Sequence, residues 1–374
     1  MSLDDWLDAR RQTREERGLE RDLRPRAPSP DVVDLAGNDY LGLSRDPRVV
    51  EAAAAAARQW GAGAGASRLV TGTLELHAEL ESALAAFTGH PAALAFSTGY
   101  HANLGVVAAL TDPDTLIVSD AHVHASLVDA CRLAKPDALV ISGHNDLTAI
   151  EQALRDRTQP RALVLVESVY SVLGDAAPLV ELAAITETYD AVLLVDEAHA
   201  IGVAGKDGAG LIASHGLAGR PDVVMTMTLS KSLGSQGGVV LGSTRLIRHL
   251  VNTARPFIYD TGLAPAAAGA ALEALAIVRR EPDLPHHALS AARRLAGAVR
   301  RPDPAGAVLS VPMPGAREAL DSQRRLLDHG LRVGCFRPPS VPDGRSRLRI
   351  TARADLTTED LDLACRLLTE VGTG

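Results

Sequence analysis

The sequence predicts an α/β protein with a mainly parallel, mixed sheet covered by helices, followed by a smaller C-terminal α+β domain. Three observations carry this. Short apolar runs recur at 92–96, 115–118, 138–142, 162–167, 191–195, 222–227 and 238–242, several of them separated by helix-length amphipathic segments such as 147–157 and 179–189; strand–helix–strand repetition of this kind builds a parallel sheet. Between Met227 and Val239 there is no room for a crossover helix, so those two strands are expected to run antiparallel as neighbours. After Pro265 a long alanine-rich helix leads to a second lobe of about a hundred residues with its own short strands at 307–311 and 347–351, since one core seldom grows past about 250–300 residues.

Taken in order, residues 3–23 read as an exposed helix with an apolar edge of Leu3, Trp6 and Leu7 and many arginines opposite. Pro25, Pro28 and Pro30 then form a linker. Asp46 and Pro47 read as N-cap and first residue of a helix through Ala52–Ala57, stopped by Gly61, Gly63 and Gly65. A helix is expected at 100–110, opened by Ser97-Thr98-Gly99. The expected division is an arm at 1–45, a large α/β domain at 46–275 and a small α+β domain at 276–374.

Composition narrows the function. Apolar residues make up 46% and charged residues 22%, ordinary for a globular enzyme, while aromatics at 3% leave the core to Ala, Leu and Val. A net charge of −8 argues against a nucleic-acid partner. Cys131, Cys335 and Cys365 are far apart and lack CxxC spacing, and read as reduced core thiols. Acids Asp4, Asp5, Asp8, Glu15 and Glu16 near the start do not suit a secretory or transit peptide, and no apolar run reaches the roughly 20 residues that span a bilayer. A cytoplasmic protein with no membrane partner is expected.

The chemistry-bearing residues stand at strand ends. Asp196 follows the apolar run Val192–Val195, at the carboxyl edge where open α/β sheets bind ligands; a carboxylate there calls for a cation opposite. Asp196-Glu197-Ala198-His199 also matches a helicase motif, but the chain has no GxxxxGK[ST] loop. One strand later comes Thr228-Leu229-Ser230-Lys231. Burial lowers a lysine pKa and frees its lone pair for attack on an aldehyde. An amine for the aldehyde and a carboxylate for the pyridine nitrogen are the couple that pyridoxal-5′-phosphate (PLP) requires. The helix start at Ser97-Thr98-Gly99-Tyr100 offers a phosphate site. His122 and His124 lack a third ligand at metal spacing, so no metal is expected, and one of them is available to stack on a flat ligand. Ser171 follows the 162–167 run and reaches the same edge. Gly61–Gly65 follows a helix rather than a strand and is no dinucleotide fingerprint.

Together these segments resemble the α-oxoamine synthases over nearly the whole chain. The likeness includes Asn38-Asp39-Tyr40-Leu41-Gly42, Gly65-Ala66-Ser67-Arg68 with Gly72 and His77, Ser97–Tyr100 with Asn103, His124-Ala125-Ser126-Leu127, His144-Asn145-Asp146, Glu167 with Tyr170-Ser171, Asp196–His199 and Thr228–Lys231. The resemblance implies PLP-dependent transferase fold type I (aspartate-aminotransferase-like) and a homodimer with active sites at the subunit interface. It implies Lys231 as the lysine joined to PLP, Asp196 as partner of the ring nitrogen, His199 as donor to the ring oxygen and His124 stacked on the ring. Gly99, Tyr100, Ser171 and Thr228 match cofactor or phosphate contacts, and Thr261 the phosphate contact given by the second subunit. The implied reaction joins an amino acid to an acyl thioester, with loss of CoA and carbon dioxide.

The form Arg337-Pro338-Pro339-Ser340-Val341-Pro342 resembles the members that condense L-alanine with pimeloyl-CoA, or pimeloyl-acyl carrier protein, on the way to biotin. Arg349 matches the arginine that clamps the amino-acid carboxylate, a bidentate task suited to guanidinium, and Ser340 replaces a commoner threonine at a substrate position. The family's N-terminal substrate arginine aligns with Glu20 or Arg21. Rival readings are a sister activity using glycine or serine, a PLP aminotransferase or lyase, and a non-catalytic scaffold.

Overall fold

The computed structural model describes the chain apart from residues 18, 19, 21, 22, 24, 29–31, 339, 340 and 372–374, and for Val371 the backbone alone. It divides into two compact units, Met1–Val32 and Val33–Gly374.

The first unit carries the helix Leu3–Glu16. The Ser2 hydroxyl accepts the Asp5 N–H while the Asp5 carboxylate accepts the Ser2 N–H, a reciprocal cap. The helix ends well short of the expected residue 23. The Arg17 N–H turns back onto the carbonyls of Thr13 and Glu15, and the next residue in sequence is Gly18, a type that costs about 1 kcal/mol in a helix interior relative to Ala. Leu3, Trp6 and Leu7 are exposed, so the helix is held by its cap and by pairs such as Arg11–Glu15.

The second unit holds two sheets. In chain order the strands are β1 (Val33–Leu35), β2 (Ala92–Phe96), β3 (Thr115–Asp120), β4 (Ala138–Ser142), β5 (Arg161–Glu167), β6 (Val192–Asp196), β7 (Val223–Thr228), β8 (Gly238–Gly242), β9 (Val308–Pro312), β10 (Leu331–Phe336) and β11 (Arg347–Thr351). The large sheet has the order β2-β8-β7-β6-β5-β3-β4. Its strands are parallel except β8, which runs antiparallel to both β2 and β7, with Met227 opposite Val239 as the short connection required. The small sheet has the order β1-β10-β11-β9. Neither β1 nor β10 was expected: β1 has three residues, and β10 carries Gly334 in mid-strand and Phe336 out of step with Leu331, Val333 and Cys335.

Side chains alternate across β5. Val164 and Val166 face one core with Val195 and Met225, while Leu163 and Leu165 face a second with Phe96, Val106 and Leu127. The first core continues through Leu275 and Ile277 of the helix Pro265–Arg280 to Leu309, Leu348 and Ile350 of the small sheet. The helix Pro47–Trp60 starts as its sequence dictates, with the Asp46 carboxylate accepting the Arg48 N–H at 2.8 Å and Pro47 at the first position; it stops at Gly61, whose φ of 92° suits glycine. Helix Glu75–Thr88 was not foreseen. Of the cysteines only Cys131 is fully buried, and Cys335 and Cys365 lie at the edge of the core, which corrects the expectation of three core thiols; all three are free. Among the described residues no helix is long and apolar enough to cross a membrane.

Candidate active site

Four adjacent strands, β7, β6, β5 and β3, end side by side, and the chemistry-bearing residues collect at those carboxyl ends. Asp196 terminates β6. Lys231 lies just beyond β7, Ser171 beyond β5, and His124 caps the helix Ala125–Ala134 beyond β3. Asp196, Lys231 and His124 meet in a cavity of 270 Å³ lined also by Gly99, Tyr100, His199 and Thr228, together with Asn103, Ser126, Glu167 and Thr226. A second cavity of 290 Å³ shares His124, His199 and Lys231 with it, and adds Asn38, His122, Ser171, Phe336 and Arg349.

Hydrogen bonds fix the main groups. Lys231 Nζ lies 2.9 Å from His199 Nε2, and Tyr40 Oη lies 2.6 Å from His199 Nδ1. Asp196 receives Asn103 Nδ2 on one oxygen at 2.7 Å and the Ala198 N–H on the other at 2.9 Å. The same Asn103 amide donates to Ser126 Oγ at 2.8 Å, and Ser126 Oγ lies 2.7 Å from His124 Nδ1. Asn103 and Ser126 thus tie the imidazole of His124 to the carboxylate of Asp196. Arg349, only 4% exposed, is no surface arginine: its Nε donates to the Ser171 carbonyl at 2.6 Å and its Nη2 to Asn38 Oδ1 at 3.0 Å, with the guanidinium over the Phe336 ring.

Burial shapes the titrations. Desolvation lowers the Lys231 ammonium to about 8, opposed by the charges of Asp196 and Glu167. Glu167, opposite Asp196 in the β5–β6 register, is pushed up to about 8 by burial and then by the Asp196 charge. Burial, then the charges of Lys231 and Arg349, hold His199 well below the ordinary histidine range. His124 is lowered chiefly by burial.

Other expected residues are placed differently. Thr261 is exposed, bridges to Ser67 and lines neither cavity. Tyr100 is 40% exposed and turns its hydroxyl to Asp129 at 2.6 Å, although the residue lines the first cavity. Ser171 borders the second cavity rather than the first; its N–H donates to Glu167 at 2.9 Å. Arg21 and Ser340 lie outside the described residues. His122 packs its ring on His144 at 4.7 Å, and among the described residues no cluster of three or more His, Cys, Asp or Glu is placed to hold a metal. Asn38, Tyr40, Asn103 and Glu167 carry structural roles here that residue type alone did not assign, although each stood within a quoted motif.

The residues present fit PLP. Asn103 Oδ1 and Thr226 Oγ1 are buried with no hydrogen-bond partner among the described residues, and both residues line the cavity; buried polar atoms beside open space call for a polar occupant. Gly99 keeps room at the start of the helix Gly99–Leu110, since a Cβ there would stand 3.2 Å from Thr228 Cβ, and the first-turn N–H groups of a helix suit a phosphate. Lys231 and Asp196 supply the amine and the carboxylate.

Comparison with known proteins places this geometry. The family described as aminotransferase class I and II matches residues 30–368. An 8-amino-7-oxononanoate synthase of Mycobacterium sp. (strain JLS) is 55% identical over 98% of this chain and 96% of its own length; one from Mycobacterium bovis is 53% identical over 98% and 95%. Among solved structures, a serine palmitoyltransferase from S. paucimobilis with PLP bound superposes with a TM-score of 0.91 at 30% identity, over 100% of this chain and 99% of that one. An 8-amino-7-oxononanoate synthase from Francisella tularensis gives 0.77 at 25% identity, over 91% and 97%. The chain belongs to the class I and II aminotransferase family, of PLP-dependent fold type I, and within it to the 8-amino-7-oxononanoate synthases.

Proposed function

We propose that the chain condenses L-alanine with pimeloyl-CoA, giving 8-amino-7-oxononanoate, CoA and carbon dioxide in biotin synthesis, with PLP as its cofactor. The observation that carries this reading is the convergence of Lys231, Asp196, His199 and His124 on one cavity, in a chain 55% identical to a synthase of that kind.

Bound PLP supplies an electron sink for the charge left on the amino acid's α-carbon. Lys231 Nζ would hold the aldehyde end of the cofactor, and its amine is placed to take the α-proton of the amino acid and to return one. The Asp196 carboxylate, its two oxygens fixed by Asn103 and Ala198, keeps a proton on the ring nitrogen. On the family pattern His199 Nε2 would donate to the cofactor's ring oxygen and His124 would stack on the ring. The helix start at Gly99-Tyr100, with Thr228, holds the phosphate. Arg349 binds the alanine carboxylate in the second cavity, where Ser171 and Asn38 already orient its guanidinium.

Arg21 (or Glu20) and Ser340 are assigned to substrate on the family pattern alone. The proposed assembly is a cytoplasmic homodimer in which the exposed Thr261 reaches the phosphate in the second subunit's site. Pimeloyl-acyl carrier protein is the alternative acyl donor. The division into an arm at 1–45 and domains at 46–275 and 276–374 belongs to the same reading. Serine with a long acyl thioester is a second reading, drawn from the likeness of fold to the palmitoyltransferase; identities of 30% to that enzyme and 55% to the oxononanoate synthase favour the first.

CoA release measured across a grid of amino acids and thioesters tests the assignment. L-Alanine with a pimeloyl thioester is expected to dominate, and strong turnover with glycine but none with alanine would overturn it. Borohydride trapping followed by peptide mapping is expected to label Lys231.

A further inference from the structure

We infer that Tyr40 is a positioning residue: its hydroxyl donates to His199 Nδ1 and so holds His199 in the tautomer that presents Nε2–H to the cofactor pocket. The inference rests on the PLP reading above and assigns a role to a residue of the Asn38–Gly42 motif that the proposed chemistry leaves unused.

Tyr40 is completely buried. Its single phenolic proton has two acceptors within reach, His199 Nδ1 at 2.6 Å and Asn38 Oδ1 at 3.1 Å. Asn38 Oδ1 already receives Arg349 Nη2 at 3.0 Å, and the same Nη2 lies 3.4 Å from the Tyr40 oxygen. A guanidinium only donates, so both oxygens accept from Arg349, and the phenolic proton goes to the nearer of its two acceptors, His199 Nδ1 at 2.6 Å against 3.1 Å for Asn38 Oδ1. No water competes at a fully buried site, where a hydrogen bond is electrostatically stronger than in solvent. Burial first, then the positive charge of Arg349, keeps the imidazole neutral. A neutral imidazole has one N–H. With Nδ1 accepting, that proton sits on Nε2, 2.9 Å from Lys231 Nζ, where a lysine without its ammonium charge leaves the Nε2–H free of a facing donor. Burial pushes the Tyr40 hydroxyl up to about 12, so it remains a donor through the neutral range. Because Arg349 touches both Asn38 and Tyr40, the carboxylate clamp and the imidazole donor form one connected block.

The test uses PLP-loaded protein labelled with ¹⁵N at histidine, with the His199 resonances assigned by their loss in His199→Asn. Wild type is expected to show protonated Nε2 and bare Nδ1. In Tyr40→Phe, which removes only the hydroxyl, the His199 nitrogens are expected to shift towards the opposite tautomer. The apparent Kd for PLP, measured by equilibrium dialysis of the apoprotein, is expected to rise roughly tenfold, the scale of one buried hydrogen bond. A residue that merely packs would leave the tautomer unmoved. Wild type with the proton on Nδ1 overturns the inference, and so does Tyr40→Phe with unchanged tautomer and PLP affinity. Should Tyr40→Phe fail to fold, the wild-type pattern alone decides. Wild type that takes up PLP without the expected tautomer sinks only the role of Tyr40, whereas wild type that shows no visible band of bound PLP sinks the cofactor reading itself.

Discussion

At the scale of single residues, the site works by taking ionisable groups out of water. Lys231 has an ordinary ammonium pKa of 10.5 and is lowered to about 8 by burial, so the nucleophilic neutral amine predominates above that pH and the inert ammonium below it. The rate at which apoprotein captures PLP, followed by stopped-flow absorbance, is expected to climb with pH up to about 8 and then level off. A profile still climbing at pH 10 would show an unperturbed lysine. For Arg349→Lys the fork that matches a carboxylate is replaced by a point charge; KM for L-alanine is expected to rise about 10- to 100-fold, the worth of a charged hydrogen bond, with a smaller change in KM for the thioester. Lys231 and Asp196 were legible in the sequence because amines and acids at strand ends advertise chemistry, whereas His199 was named only through the family resemblance. Tyr40 and Asn103 were not legible, because a tyrosine in a loop reads as core and an asparagine in a helix as surface until the fold brings each against a distant partner.

Among elements, the turn from Ser168 to Ala177 deserves its own mechanics, for it carries the Ser171 carbonyl that aligns Arg349. It is pinned from two sides. Gly174, with φ of 78°, lies so close to β9 that a Cβ would meet the Val308 carbonyl oxygen. His144 spans Asp120 at 3.2 Å and Asp175 at 2.8 Å. Burial pulls His144 down, but the bonds and charges of the two carboxylates prevail and raise it to about 9. A histidine raised above its unfolded value of 6.5 stabilises the fold fully below pH 6.5 and loses that contribution as pH climbs through about 9. His144→Gln is therefore expected to lower unfolding free energy by roughly 2 to 3 kcal/mol at pH 6 and by little at pH 10, in urea titrations at both values. Equal losses at both would contradict the ion pairing. None of this was readable along the chain, where His144 and Asp175 are separated by a whole strand and helix; what was readable was the cap at Asp46-Pro47 and the helix starting near residue 99, both set by neighbours in sequence.

For the whole molecule, one core joins the large sheet to the small one through the helix Pro265–Arg280. Leu348→Ala, in the small sheet, is expected to cost about 2–5 kcal/mol and to speed hydrogen exchange in β6 as well as in β11; loss confined to the small sheet would mean the two sheets unfold separately. The mixed sheet was foreseen because connection length limits strand direction. The order of its strands was not, since periodicity says which residues are buried and not which strand lies beside which. The three-residue β1 escaped for a related reason: it is defined by pairing with Leu331–Val333, a partner almost three hundred positions away.

The segment between β7 and β8 has a mechanical consequence. Leu229 and Gly237 close it with an N–H to carbonyl bond of 3.0 Å, Gly234 donates to the Lys231 carbonyl at 2.9 Å, Ser235 donates to Leu229 at 3.0 Å, and the Thr228 hydroxyl holds Gly237 at 2.9 Å. Lys231 is therefore mounted on a bracket bolted at both feet. In the proposed chemistry, gripping and letting go would be carried by rotation about the side-chain bonds of Lys231 rather than by movement of its mount.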